Sequence, residues 1–172
     1  LMDDSILTNP VEMGKIVETA VYKHVAAFYY QQATSVGYYR GGRKNKEIDV
    51  VVEYPNTRNI LIEVKYREGA PIPDDDAIAE LCENASAAIV VTKNADDFGV
   101  HNTKSGQEMV RIPAFAFLYL LGHAEKSGCS ASPILIICSG LVNEISSFAE
   151  SSSVKKVWQM KVFLIEFAPT GV

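Results

Sequence analysis

The sequence predicts an α/β domain with a mixed central sheet flanked by helices. Apolar residues recur at helical spacing early in the chain, which predicts a helix over residues 11–32, with Asn9 as a possible cap. Two later segments, residues 47–53 and 59–66, are rich in β-branched residues that alternate with charged ones, which predicts two strands, the first with Ile48, Val50 and Val52 on one face. A further helix and a buried strand follow them, and this order of elements is typical of α/β architecture.

Turn-forming residues and apolar runs delimit the remaining elements. These are a short strand at residues 36–40, a short helix at 74–84, a buried strand at 87–92 and a polar loop at 94–111. Asp74, Asp75 and Asp76 open the short helix, where acids favour the positive end of the helix dipole. We prefer that interpretation of the three aspartates to a metal cluster.

The chain of 172 residues is divided into a main domain at residues 1–122 and an extension at 123–172. The apolar run at 112–121 is predicted to be buried. In the extension, the sequence indicates a strand at 133–138, a helix at 141–150 and a strand at 157–167, but the role of these elements stays open.

The composition argues against several classes of protein. No apolar run reaches the roughly 18 residues that span a bilayer, so we expect no membrane association. Cys82, Cys129 and Cys138 are widely spaced, which argues against a disulfide framework or a zinc site and favours free thiols in a reducing cytoplasm. The first residues lack the pattern of a signal peptide, and the chain resembles a piece of a longer protein.

Charge is distributed unevenly along the chain. The whole chain carries a formal charge of −5, which argues against tight nucleic-acid binding by the isolated domain. Residues 38–67, however, hold seven basic and four acidic residues and are net positive. Within this segment we predict that four residues contact nucleic acid: Arg40, Arg43, Lys44 and Lys46. A solvated hairpin that happens to be basic is the alternative, and the sequence leaves both open.

The residues that indicate chemistry are Asp49, Glu63 and Lys65. Glu63 and Lys65 are two positions apart on one predicted strand, so their side chains leave the same face. The interval between Asp49 and Glu63 is long enough for two adjacent antiparallel strands and a turn, and if these strands pair in a suitable register, Asp49 comes beside Glu63 and Lys65. The alternative is that these charges form the solvated face of an ordinary sheet.

Two carboxylates and an ammonium are suited to phosphodiester hydrolysis. Carboxylate oxygens hold Mg²⁺ with waters still bound, and the ion polarises the phosphoryl group and activates water. The lysine orients the attacking water or stabilises charge on the phosphate. The set therefore predicts a Mg²⁺-dependent, or Mn²⁺-dependent, nuclease site.

Three motifs taken together, GKIVETAVY, EIDVVVE and IEVKYR, resemble a known family. Over residues 11–122 the chain is similar to the PD-(D/E)XK nuclease-like domain, with its restriction-endonuclease-like core, at the carboxy-terminal end of archaeal-type AAA-family ATPases. The resemblance implies that Asp49 and Glu63 bind metal, that Lys65 is catalytic, and that the helix contributes Glu18. We predict the Val64 carbonyl as a further metal ligand.

The resemblance also implies partners. An ATPase domain would precede this segment in the parent protein, and the substrate would be nucleic acid, with DNA favoured. No GxxxxGK[ST] motif occurs in the chain, so it cannot bind ATP by that route. Two functions stay open: an active nuclease, or a catalytically silent module that binds DNA or protein for the ATPase. A homo-oligomer is also compatible with the sequence.

Overall fold

The computed structural model describes residues 8–31, 33–41, 46–56, 58–69, 71–104 and 106–126, with residues 123–126 described by their backbone only. Three α-helices and six strands are found there. The helices are α1, α2 and α3, at Pro10–Tyr29, Ala77–Leu81 and Ala114–Lys126. The strands are β1 to β6, at Ser35–Gly41, Lys46–Glu53, Asn59–Lys65, Ala85–Thr92, Gly99–Asn102 and Glu108–Pro113.

The strands form one mixed sheet in the order β1-β2-β3-β4-β6-β5. β1, β2 and β3 are antiparallel neighbours, β3 pairs with β4 in parallel, β4 pairs with β6 in parallel, and β5 is antiparallel to β6. The prediction of a mixed α/β sheet is confirmed, and so is the antiparallel pairing of the two charged strands.

Helix α1 begins as the sequence predicts and ends three residues earlier, at Tyr29. The Asn9 side chain accepts a hydrogen bond of 3.0 Å from the Val11 amide, and Pro10 occupies the first turn, where its missing N–H costs nothing. Val21, Val25 and Tyr29 are fully buried. They pack, together with α3, on one face of the sheet.

The opposite face of the sheet is covered by α2. Ala77, Ile78 and Ala79 of this helix are buried against residues of β2, β3 and β4. Each face of the sheet therefore has its own apolar layer, and β3 in the middle of the sheet is buried on both sides.

The prediction of a loop over residues 94–111 is wrong, because this segment forms the β5–β6 hairpin. The turn is closed by a hydrogen bond of 2.9 Å from the Thr103 amide to the Gln107 carbonyl, and Gly106 adopts a positive φ of 81°. β5 is an edge strand of four residues that are exposed or half-buried, so it lacks the apolar alternation on which a strand prediction depends. The apolar run that follows is the end of β6 and the beginning of α3.

A bulge in β2 corrects a second prediction. The sequence places Ile48, Val50 and Val52 on one face, but Ile48 packs with the α2 layer and the two valines with the α1 layer. Gly37 pairs with Val51 and Tyr39 with Ile48, so two residues of β2 stand opposite one residue of β1. An extra residue of this kind reverses the side-chain alternation beyond it.

Several predictions lie outside the described residues or concern them only in part. Outside the described residues lie the elements predicted after residue 126, Cys129 and Cys138. The third cysteine, Cys82, is described and is a buried free thiol. Within the part of the chain that the structure describes, no helix has the length and apolar character required to cross a membrane.

Candidate active site

The bulge in β2 places Asp49 where β2 and β3 stop pairing regularly. The last paired residues of the two strands are Val50 and Ile62. One residue further along, the Asp49 carboxylate accepts a hydrogen bond of 2.7 Å from the Val64 amide. If the pairing of β2 and β3 continued, a backbone carbonyl of β2 would accept this hydrogen bond, but here the Asp49 side chain accepts it instead. The hydrogen bond fixes the Asp49 carboxylate against β3.

Glu63 and Lys65 meet on the α2 face of β3. The Lys65 ammonium lies 2.8 Å from Glu63 Oε1 and 2.9 Å from Asp76 Oδ2. All three side chains are at most 15 % exposed. The structure therefore brings Asp49, Glu63 and Lys65 together at one end of the sheet, and it adds Asp76 as a third carboxylate.

Asp76 is the site residue that sequence reasoning missed. It stands at the position before α2 but makes no capping hydrogen bond with its side chain, so the helix-dipole interpretation does not account for its orientation. Its carboxylate turns to Lys65 instead. The signal in the sequence was the apolar Ala77-Ile78-Ala79 directly after it, because a helix that is buried from its first residue turns the preceding side chain toward the sheet.

Burial and mutual repulsion dominate the electrostatics of these acids. Burial, followed by the charge of Asp49, raises the pKa of Glu63 to about 7, although Lys65 opposes the shift. Burial also raises the pKa of Asp49, against the hydrogen bond from Val64. For Lys65, burial acts to lower the pKa, but hydrogen bonds to Glu63 and Asp76 outweigh it, and the pKa is raised. The ammonium thus stays charged, whereas the raised pKa values of Glu63 and Asp49 show that these two carboxyls resist ionisation.

Glu18 approaches the site from α1, on the other face of the sheet. Its side chain is half-buried, and burial followed by the charge of Asp49 raises its pKa. The Asp49 carboxylate therefore interacts electrostatically with Glu18, on the α1 face of the sheet, and with Asp76, on the α2 face. Because it lies in the bulge, Asp49 stands between the two faces of the sheet.

Comparison with protein families gives a match to DUF4143, a domain of unknown function, over residues 13–115. The match covers more than half of the chain and every residue of the cluster around Glu63. The chain belongs to the DUF4143 family. DUF4143 domains are found in AAA-ATPase-associated proteins. Searches of curated proteins and of solved structures give no match.

The carboxylates of this DUF4143 domain have the chemistry that a hard divalent cation requires. Glu63 Oε2 is buried and has no hydrogen-bond partner, and the Lys65 ammonium is in contact with two carboxylates, those of Glu63 and Asp76, while Asp49 lies on the Val64 amide. A buried carboxylate oxygen without a partner is costly, and a cation would relieve that cost. Asp49 and Glu63 would hold the ion; the Val64 carbonyl stays a predicted ligand.

No group of three or more His, Cys, Asp and Glu side chains is arranged to hold a metal among the described residues. Among the described residues, this finding argues against a metal site in which three or more side chains coordinate the ion. Mg²⁺ is commonly bound through one or two carboxylates, with water and substrate phosphates in its other positions. Two carboxylates of the DUF4143 domain are therefore compatible with a Mg²⁺ site completed by substrate, and a cage made only of side chains is not indicated.

The predicted nucleic-acid contacts are only partly described. Arg40 is largely exposed and lies 2.8 Å from Glu47, at the same end of β2 as Asp49. Lys46 instead pairs with Glu80 of α2 and is 16 % exposed, so its charge already has a structural partner and is less accessible to phosphate. Arg43 and Lys44 lie outside the described residues.

Proposed function

We propose that this DUF4143 domain is a metal-dependent nuclease of the PD-(D/E)XK type, working with an ATPase domain of its parent protein in the cytoplasm. The observation that carries the proposal is the meeting of Asp49, Glu63 and Lys65 where β2 bulges, with one buried oxygen of Glu63 lacking a partner. If these charges formed the solvated face of an ordinary sheet, which is the alternative interpretation, they would not be buried.

The residues divide the chemistry among them. Bound Mg²⁺ would supply polarisation of the phosphoryl group and a more acidic water. Asp49 and Glu63 would hold the ion; their charges interact, and the Val64 amide holds the Asp49 carboxylate against β3. The Lys65 ammonium, charged and largely buried, is placed to orient a water or stabilise a phosphoryl oxygen in the transition state.

The direct test is a cleavage assay with the purified chain. Single-stranded, duplex and branched DNA and RNA are each incubated with Mg²⁺, with Mn²⁺ and with EDTA, and the Glu63→Gln variant serves as the inactive control. We expect products only with metal and only from the unmodified chain. Products that persist in the variant would identify a contaminating nuclease, and their absence throughout, also in the ATPase-bearing protein, would reject nuclease activity.

A silent binding module is the second candidate, and two observations favour it. Lys65 is held by two carboxylates in this structure, and the chain as a whole is acidic. The same assay separates the two functions: binding of nucleic acid or of the ATPase without any metal-dependent product would support the silent module.

Metal binding can be tested apart from cleavage. Asp49→Asn should abolish Mg²⁺ or Mn²⁺ binding in calorimetry, because it removes a ligand charge while its amide oxygen can still accept from the Val64 amide. Asp49→Ala should also abolish binding, and it should cost about 1–3 kcal/mol of stability, since a part-buried N–H loses its acceptor. Glu47→Gln, an exposed acid on the same strand, is the matched control. Unchanged binding in Asp49→Asn would contradict the site.

Substrate contact by the basic segment predicts a salt effect. Replacing Arg40, Arg43 and Lys44 by alanine should weaken nucleic-acid binding and reduce the slope of log affinity against log salt by about one for each phosphate that the variant no longer neutralises. Arg58→Ala is the control, because Arg58 lies just before β3, at the end remote from Lys65. A slope equal to that of the unmodified chain would exclude these residues from phosphate contact.

A further inference from the structure

The segment that leads into α2 is attached to the sheet by two lysines. Lys65 of β3 contacts the Asp76 carboxylate at 2.9 Å. Lys46 of β2 donates a hydrogen bond of 2.8 Å to the Asp75 carbonyl and pairs with the Glu80 carboxylate. Both lysine side chains are about one-sixth exposed or less. Ammonium groups at this depth require acceptors, so these contacts determine where the segment lies.

The Asp76 carboxylate is not engaged by the helix that it precedes. The Asp76 carbonyl accepts the amide of Glu80, as expected at the beginning of a helix, but the side chain caps nothing. It is 14 % exposed and reaches Lys65. Lys65 therefore has two carboxylate partners, one on its own strand and one directly before α2, and only the first belongs to the proposed metal site.

We propose that Asp76 is a positioning residue, which keeps the Lys65 ammonium beside the site when a cation occupies Glu63, and that Lys46 keeps Asp76 in place. The catalytic consequence rests on the proposed nuclease function, whereas the positioning itself does not. This assignment also gives Lys46 a role other than the phosphate contact predicted from the sequence.

The reason lies in competition for one carboxylate. In the metal-free site Lys65 donates to Glu63 Oε1 at 2.8 Å. A cation bound by Glu63 would withdraw electron density from that carboxylate and repel the ammonium, so this contact would weaken. Asp76 approaches from α2, outside the predicted ligand set of Asp49, Glu63 and Val64, and remains a buried acceptor. Without it, the four-carbon side chain of Lys65 would regain its rotamers and turn toward water.

The positioning can be measured by nuclear magnetic resonance of the lysine ammonium groups, with the Lys65 signal assigned by Lys65→Arg. We expect Lys65 to give a slowly exchanging ¹⁵Nζ signal in the unmodified chain, with and without Mg²⁺. Asp76→Asn should shift or broaden this signal beyond detection, and Asp76→Glu should restore it in part. Lys46→Met should have the same effect to a smaller extent. Asp74→Asn is the matched control, because its exposed carboxylate pairs with Lys104. An unchanged signal in Asp76→Asn would overturn the proposal.

Cleavage kinetics give a second readout on the same variants. Asp76→Asn should lower kcat by about 10- to 100-fold, the range seen when a residue that orients a catalytic group is removed, with KM for nucleic acid unchanged. Equal loss in Asp74→Asn, or a change in KM alone, would contradict the proposal. If the unmodified chain does not cleave, the nuclease function is rejected and the ammonium signal alone decides the role of Asp76. Circular dichroism and unfolding midpoints establish that each variant is folded.

Discussion

Replacing Lys65 by alanine should lower metal-dependent cleavage by about 10²–10³-fold. The ammonium is held next to Glu63, and in the proposed nuclease it would stabilise negative charge as the phosphodiester breaks. Substrate binding should change little, because the residues proposed to contact nucleic acid, Arg40, Arg43 and Lys44, are on another part of the chain. The measurement is single-turnover cleavage at saturating Mg²⁺, with Lys93→Ala as control, since Lys93 is a more exposed lysine paired with Glu68.

The same variant should also be less stable without metal. From the sequence we expect Lys65→Ala to leave the fold intact, but the structure shows Lys65 balancing Glu63 and Asp76, all largely buried. Removing one partner of a buried ion pair costs on the order of 3–5 kcal/mol. In urea with EDTA the unfolding midpoint should therefore fall, and Mg²⁺ should recover part of the loss, because the site has become more negative.

Two results would contradict this account of Lys65. Cleavage that equals that of the unmodified chain would remove the lysine from the chemistry. An unfolding midpoint in EDTA that equals that of Lys93→Ala would mean that the ion pairs of Lys65 contribute nothing to stability, as is common for exposed pairs but not for buried ones.

The Glu63→Gln variant should show the second large effect, an increase in the stability of the metal-free domain at alkaline pH. The pKa of Glu63 is raised from 4.5 to about 7, mainly by burial and by the charge of Asp49. A raised carboxyl pKa means that the folded state retains a proton that the unfolded state releases. Stability must therefore fall as pH rises from about 5 to about 8, by on the order of 3 kcal/mol.

Glutamine imitates the protonated carboxyl and should remove most of this pH dependence. Asp49, whose pKa burial also raises, acts in the same direction and leaves a smaller slope. Asp97 does not interfere: hydrogen bonding to Arg111 lowers its pKa, so its contribution is lost only in more acidic solution. Urea unfolding in EDTA across this pH range measures the effect, and Glu68→Gln, an exposed acid, is the control.

Metal should reverse the sign of the pH dependence. Cation binding requires ionised carboxylates, so Mg²⁺ should stabilise the unmodified chain more at about pH 8 than at about pH 6, and should not stabilise Glu63→Gln. Equal stabilisation of both proteins by Mg²⁺ would place the ion elsewhere. A stability of the unmodified chain that is flat in EDTA over the same range would refute the burial argument.

Local patterns in the sequence were sufficient for the parts of the fold that have strong periodicity. α1, β2 and β3 each bury one face or both, so their apolar residues recur at the period of the element and reveal it. The two-residue spacing of Glu63 and Lys65 likewise required only the geometry of a strand.

The rest depended on long-range contacts that no local pattern encodes. β5 is short and at most half-buried, and it pairs with the edge that β6 offers. The bulge in β2 is defined by register against β1, which the sequence of β2 alone does not specify. Asp76 reaches Lys65 because α2 folds back over β3, a consequence of where the buried residues of α2 pack.

The bulge at Asp49 also limits how the domain can vary. Shortening β2 by one residue there would restore an uninterrupted ladder with β1 and regular alternation along the strand. Such a deletion would leave Ile48 in the layer beneath α2, but it would either remove Asp49 itself or, if Val50 were deleted, put Asp49 in the place of Val50, in the α1 layer and away from the Val64 amide. The irregularity of β2 and the cluster around Glu63 are thus inseparable, and a redesign that selects only for a more regular and stable sheet would discard both at once.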